Sequence, residues 1–274
     1  MPIDATDFDE YLHFANELAD AAAAAILPHF RAGAGADNKS AHGFDPVTAA
    51  DRGAERVMRA LIRTRYPQHG ILGEEEGAEA GRVAGTEVGN LGLTWVLDPI
   101  DGTRAFLLGL PLWGTLIALN DGTRPVLGLM NQPFTRERFV GTGLCAWNGG
   151  HVLHTRACAQ LADAHVMCTS PDIFDPDQRR AFEAVAADAR LLRYGGDCYA
   201  YCMLASGHVD AVIEAGLQPW DVQALVPIIE GAGGIVTTWD GGDVQHGGTV
   251  LACGDKRLHA ELVARLRRQT GPTA

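Results

Sequence analysis

A largely apolar run of strand length, Leu93-Thr94-Trp95-Val96-Leu97, leads without a break into Asp98-Pro99-Ile100-Asp101-Gly102-Thr103. A strand that ends in such a turn brings two carboxylates and a backbone carbonyl to one rim. Pro99 stiffens the turn and removes a donor that would compete for the carboxylates. Gly102 lets the backbone approach a ligand closely, and a helix starting there would aim amides at an anion. Hard oxygen donors in this arrangement suit Mg²⁺ better than zinc. An Asx-type turn with ordinary capping aspartates is the alternative for Asp-x-x-Asp alone. It does not account for the whole hexapeptide behind an apolar strand.

Periodicity places this motif in a mixed chain. Asp7 and Glu10 have the spacing of a capping box, and Leu12, Ala15, Leu18, Ala19 and Ala22 recur at helical intervals, predicting a helix from there to about Phe30. Residues 33–43 read as a mobile loop. Ala54, Val57, Met58, Leu61 and Ile62 predict a second helix from about Thr48 to Pro67. Ile71-Leu72 reads as a short strand, and residues 74–90 as a surface excursion. A hairpin is expected around Asn120-Asp121-Gly122, between 112–120 and 126–131. Beyond it, strands are expected over 165–169 and 209–213. Helices are expected over 177–187, 199–206, 220–230 and 256–268, the third closed by Gly231. Such alternation implies a layered α/β or α+β protein.

Composition excludes several function classes. The 22 basic and 34 acidic residues leave a formal charge of −12, the opposite of a nucleic-acid surface. A phosphate ligand stays compatible, because carboxylates can hold cations that invert the local charge. The longest uncharged, largely apolar stretch, Ala105 to Leu119, is shorter than the ~20 residues of a membrane span. None of the six cysteines forms a Cys-x-x-Cys pair, so buried free thiols in a reducing compartment are expected. No basic segment followed by an apolar one opens the chain, and a cytoplasmic protein without membrane or nucleic-acid partners is the expectation.

Three further elements are weak when read singly. Glu74 closes the apolar run Ile71-Leu72 and could turn inward toward Asp98, whereas Glu75 and Glu76 read as a solvated loop. Asp221 follows Pro219-Trp220 in a helix's first turn, where a carboxylate is favoured by the dipole in any case. Thr48 and Asp51 have the spacing of a second capping box.

Taken together, Glu74-Glu75, the hexapeptide Asp98 to Thr103 and Trp220-Asp221 resemble, in order and spacing, the two signatures of the inositol monophosphatase superfamily. The resemblance extends through Lys39 to Asp51 and covers nearly the entire chain. It implies an α+β fold, a layered α/β/α/β/α sandwich, with the site between halves at 1–145 and 146–274 that form one structural unit. It also implies a Mg²⁺-dependent hydrolase of phosphate monoesters using two or three ions, with Mn²⁺ as a substitute. Glu74, Asp98 and the Ile100 carbonyl would hold a first ion; Asp98, Asp101 and Asp221 a second; Glu74 could contact a third. Thr103 and Asp51 would activate the attacking water, and the amides of Gly102 and Thr103 would bind phosphate. The segment bearing Lys39 covers the site in relatives, and relatives are commonly homodimers.

The substrate should be set by the far side of the pocket. Gly195-Gly196-Asp197-Cys198 carries an acid where inositol-type enzymes have small uncharged residues, and Glu214 aligns with a substrate-contact position of the family. Two acids favour a cationic leaving group, such as histidinol, with its ammonium and imidazole. The segments 195–200, 218–221 and 110–115 also look like the histidinol-phosphatase branch. Asp197 has an alternative role as helix N-cap before Cys198. Inositol phosphatase activity is the nearest rival. A non-catalytic metal- or phosphate-binding regulator is a rival of another class, disfavoured because simple binding needs no Thr103–Asp51 pair.

Overall fold

The computed structural model describes residues 5–32, 36–38, 46–81 and 92–270. The chain begins with helix α1 (Ala5–Ile26), strands β1 (Ala36–Asn38) and β2 (Pro46–Thr48), and helix α2 (Ala49–Arg65). There follow β3 (Gly70–Gly73), β4 (Gly77–Glu79), β5 (Thr94–Asp101), α3 (Thr103–Leu107), β6 (Gly114–Asn120), β7 (Pro125–Gln132), β8 (Glu137–Gly141), β9 (Ala146–Asn148) and β10 (His151–Val152). The second part comprises β11 (His165–Cys168), α4 (Pro176–Ala186), β12 (Leu191–Tyr194), α5 (Asp197–Ala205), β13 (Ala211–Leu217), α6 (Pro219–Val222), α7 (Leu225–Gly231), β14 (Ile235–Thr237), β15 (Gly248–Cys253) and α8 (Lys256–Thr270).

Two sheets order these elements. An eight-stranded sheet runs β10-β9-β8-β7-β6-β5-β3-β4, and a five-stranded sheet runs β12-β11-β13-β15-β14. The period-two alternation of strand side chains sorts the core into layers. Trp95, Leu97, Ile117, Leu119, Leu127 and Leu129 face α1 and α2, while Val96, Leu116, Ala118 and Met130 face α5 and α7. On the second sheet Val212, Val250 and Ala252 join the α5–α7 layer, and Ile213, Leu251 and Cys253 pack on α4 and α8. The result is an α/β/α/β/α sandwich. With both faces of the central strands covered, β6 is buried at every position, and its centre, Leu116 to Leu119, reads in sequence as a continuous apolar run.

Several elements differ from the sequence-based expectation for physical reasons. Part of the expected loop, 36–38, is a strand paired with 46–48; Lys39 lies outside the described residues. Asp7 sits inside α1, which begins at Ala5 and so leaves no cap at Asp7. Val57 is 40% exposed, because the inward face of α2 carries Asp51, Glu55 and Arg59 beside Ala54, Met58 and Ile62. The expected helix over 220–230 is two short ones: Pro227 has no N–H to bond back toward Gln223, and the chain breaks between α6 and α7. Among the described residues no helix is long and apolar enough to cross a membrane.

Candidate active site

Strand pairing accounts for the first contact. β3 and β5 run parallel with Gly73 opposite Leu97, so the next residues, Glu74 and Asp98, stand side by side. The Glu74 amide donates to the Leu97 carbonyl at 3.2 Å. β5 does not stop at Leu97 as its apolar run suggests. It continues to Asp101 through a register shift between Asp98 and Asp101 in its pairing with β6. Such a bulge re-aims side chains, and Pro99, which has no ladder donor, sits within it. The Thr115 hydroxyl donates to the Pro99 carbonyl at 2.8 Å, and the Thr103 hydroxyl to the Ile100 carbonyl at 3.1 Å.

Gly102 then takes a left-handed conformation, φ 84°, and α3 starts behind it as the sequence predicts. A Cβ at Gly102 would lie 3.1 Å from the Asp197 side chain, so glycine is needed both for the turn and for the approach of α5. Asp197 is the first residue of α5, with φ 45°, and Gly196 occupies the N-cap position. The capping role considered for Asp197 is therefore not the one it has. The next amide, that of Cys198, donates to Asp101 at 2.6 Å.

Asp221 arrives on α6, where Pro219 opens the helix and the Gln218 amide donates to the Asp221 carboxylate at 2.7 Å. Oxygens of Asp98, Asp101 and Asp221 lie within 4.8 Å of one another, as do those of Asp51, Glu74 and Glu75. Glu75 is a correction: its side chain is only 3% exposed and takes a hydrogen bond from Arg52 at 3.4 Å, so it is no solvated loop residue. A run of three glutamates hides this, because only the strand register tells which of them turn inward. Glu76 does lie outward, beside Arg56.

The electrostatics call for a countercharge. Burial pushes Asp98 well above the usual carboxylate range, and Glu74, Asp101, Asp221 and Asp51 push it further. Burial first, then Asp197 and Asp221, raises Asp101 as well. Asp221 is pushed up to about 7, mainly by burial, against the Gln218 amide. The buried Oδ1 of Asp98 has no hydrogen-bond partner. A buried, unsatisfied oxygen among mutually repelling carboxylates fits a hard cation with oxygen ligands. The donor set suits Mg²⁺.

A cavity of about 80 Å³ adjoins this cluster, lined by Asp101, Asp197 and Asp221 together with Thr169, Tyr201 and Glu214. Glu214, 3% exposed, takes hydrogen bonds from the Thr169 amide at 2.9 Å, from the Thr169 hydroxyl, and from the Tyr201 hydroxyl at 3.1 Å. Burial pushes Glu214 up to about 7 despite those donors. Burial likewise pushes Asp197 up to about 6, opposed by the Arg104 guanidinium and the Thr169 hydroxyl. Thr169, Tyr201 and Cys198 were not singled out in the sequence. Each serves the site through a hydrogen bond that only the meeting of distant strands and helices creates.

The fold and this acidic site define a class, the metal-dependent phosphatases. The chain belongs to the inositol monophosphatase family, whose model matches residues 7–271. It is 40% identical over 271 residues to the bifunctional phosphatase IMPL2, chloroplastic, of Arabidopsis thaliana, covering 95% of this chain and 76% of that one. It is 33% identical to a histidinol-phosphatase of Chlorobaculum parvum, covering 81% of this chain and 83% of the relative. A solved inositol monophosphatase from Zymomonas mobilis superposes with a TM-score of 0.83 at 42% identity, covering 95% of this chain and 98% of the other.

Proposed function

We propose that the chain is a Mg²⁺-dependent histidinol-phosphate phosphatase, converting histidinol phosphate and water to histidinol and inorganic phosphate. The observation that carries the substrate is the cavity in which Asp197 and Glu214 stand beside Asp101 and Asp221. A second acidic wall suits a leaving alcohol that bears an ammonium and an imidazole. Relatives named as histidinol-phosphatases support it. Inositol phosphate is the second reading, favoured by the 42% identity to the Zymomonas mobilis enzyme.

Glu74, Asp98, Asp101, Asp221 and the Ile100 carbonyl would hold two or three Mg²⁺ ions, for which Mn²⁺ can substitute. When bound, the ions offset the charge of the phosphate dianion and acidify a water. The Thr103 hydroxyl, its own proton directed at the Ile100 carbonyl, would orient that water, and the Asp51 carboxylate would take its proton, with Glu74 assisting from the end of the neighbouring strand β3. The water oxygen bonds to phosphorus, the ester P–O bond breaks, and the alkoxide leaves as the alcohol after gaining a proton from solvent, to which Asp51 returns the proton it took. The Gly102 and Thr103 amides bind the phosphate oxygens. Asp197 and Glu214 face the alcohol, and Gly196 contributes to the substrate side by letting α5 begin there, at φ 152° and with Met167 and Ala200 leaving no room for a side chain. We also propose a cytoplasmic homodimer, the assembly that the resemblance to the family implies.

Comparison of kcat/KM for histidinol phosphate, inositol 1-phosphate and fructose 1,6-bisphosphate tests the assignment. Histidinol phosphate should lead by at least about tenfold, the effect of roughly one charge-assisted contact. Chelation should abolish phosphate release, and Mg²⁺ should restore it. A lead by inositol phosphate would overturn the substrate and leave the chemistry; full activity after chelation would overturn both.

A further inference from the structure

Two buried charges on α2 stand one helical turn apart, outside the ligand set. Glu55 is 0% exposed and Arg59 1%, and Arg59 Nε donates to Glu55 Oε1 at 2.7 Å. The remaining capacity of the Glu55 carboxylate goes to backbone. The Glu75 amide donates to Oε2 at 2.8 Å and the Glu76 amide to Oε1 at 3.0 Å. Arg59 Nη2 donates to the Gly77 carbonyl, and Nη1 reaches Glu79 at 3.4 Å. With the Glu74 amide already on Leu97, three successive amides and one carbonyl of the turn from Glu74 to Gly77 are held. A Cβ at Gly73 would fall 2.3 Å from Glu55 Oε1, so the carboxylate reaches the turn only because residue 73 has no side chain.

A buried ion pair is a poor source of stability, since desolvation cancels much of its attraction. Its geometry here is better explained by what it holds. Glu74 and Glu75 lie close enough to Asp51 for their oxygens to share one cation, and without a cation they repel it. An unbraced turn would relax by swinging the glutamates apart into water. We infer that Glu55, braced by Arg59, is a positioning residue that presets the Glu74–Glu75 turn for a cation before the cation arrives. It acts through backbone amides. The inference rests on the reading of Glu74 as a metal ligand.

The test uses the full chain stripped by chelator and titrated with Mg²⁺ alone in a calorimeter. Glu55→Gln keeps the shape but presents an NH₂ to one of the two amides. The variant should melt cooperatively, bind Mg²⁺ about tenfold or more weakly, as expected for loss of a group supporting a metal ligand, and keep kcat within about twofold at saturating Mg²⁺. Glu55→Asp restores the charge without the reach and should behave like Glu55→Gln. Recovery of wild-type affinity in Glu55→Asp would overturn the inference, as would unchanged Mg²⁺ affinity in Glu55→Gln. Hydrogen exchange on the metal-free wild-type protein decides the matter even if the variants do not fold. The Glu75 and Glu76 amides should already be protected there, and protection that appears only with Mg²⁺ would overturn the inference. Absence of any Mg²⁺ binding by the wild type would overturn the metal reading itself, a distinguishable failure.

Discussion

Asp197 shows how much one residue can be asked to do at this site. It heads α5 with φ 45°, touches the Gly102 turn, and lines the same cavity as Glu214. A carboxylate kept there against burial favours a positively charged partner, and Arg104 opposes the cost only in part. Asp197→Asn retains the shape and removes the charge. It should lower kcat/KM for histidinol phosphate by about ten- to a hundredfold, the 1.5–3 kcal/mol of a hydrogen bond to a charged group. Inositol 1-phosphate should lose less than about threefold, within the scatter of a neutral hydrogen bond. Equal losses on the two substrates would remove the case for cation recognition. Asp98 and Asp101 were legible as metal-ligand candidates from their own hexapeptide, whereas Glu74 and Asp221, weak when read singly, became candidates only through the family resemblance. Glu55, Thr169 and Tyr201 were not legible, since nothing local distinguishes a buried polar residue that serves a distant loop from one on a solvated face. Glu75 reads as a solvated residue for the same reason.

At the scale of elements, the outer helices are joined to β5 by an aromatic cluster with a titratable member. His69, in the turn between α2 and β3, stacks on Tyr66 at 4.7 Å between ring centroids and accepts the Trp95 indole N–H on Nδ1 at 3.1 Å. That bond fixes the neutral tautomer with its proton on Nε2, and burial pushes the imidazole down to about 4. The folded pKa therefore lies below the usual value near 6.5. Stability from this group is complete above pH 6.5 and falls as pH drops toward 4, where the unfolded chain takes a proton that the folded chain refuses. The loss should approach about 3 kcal/mol at most. His69→Gln keeps an acceptor for Trp95 and cannot titrate, so urea unfolding of this variant should be flatter between pH 6.5 and 4 than that of the wild type. An unchanged slope would place the acid sensitivity elsewhere. Strong helical periodicity made α1 and α2 legible, and turn residues revealed the β6–β7 hairpin. The shorter strands β8 to β10, β12 and β14 have too few alternations to stand out, and β15 is a buried run that carries no strand-specific period. The β5 bulge was hidden because acidic residues after an apolar run read as the strand's end.

Across the whole molecule the site is a meeting of the two sheets' layers, and its stability and its chemistry pull in opposite directions. Glu74, Asp98 and Asp101 come from the ends of β3 and β5, Asp51 from α2, and Asp221 from α6 in the second half of the chain. The halves are also tied by the Cys198 amide on Asp101 and by the Asn120 amide group on Gln223 at 2.9 Å. Without cations, folding gathers carboxylates that burial and mutual repulsion drive toward protonation. Asp98 is the centre of that repulsion, 2% exposed with Oδ1 unpartnered. Asp98→Asn keeps the side chain's shape and deletes its charge. In chelator at pH 7.5 the variant should be more stable than the wild type by about 1–3 kcal/mol, the order of one relieved buried polar group. Mg²⁺ at about a hundred times its dissociation constant should stabilise the wild type by about 2.7 kcal/mol through mass action, and the variant by much less. Phosphate release by the variant should fall to background. Urea unfolding with and without Mg²⁺ measures all four states. A variant less stable than the wild type in chelator would mean that the metal-free cluster is not under electrostatic stress, and that Asp98 contributes to the fold on its own account rather than through the cation it is placed to hold.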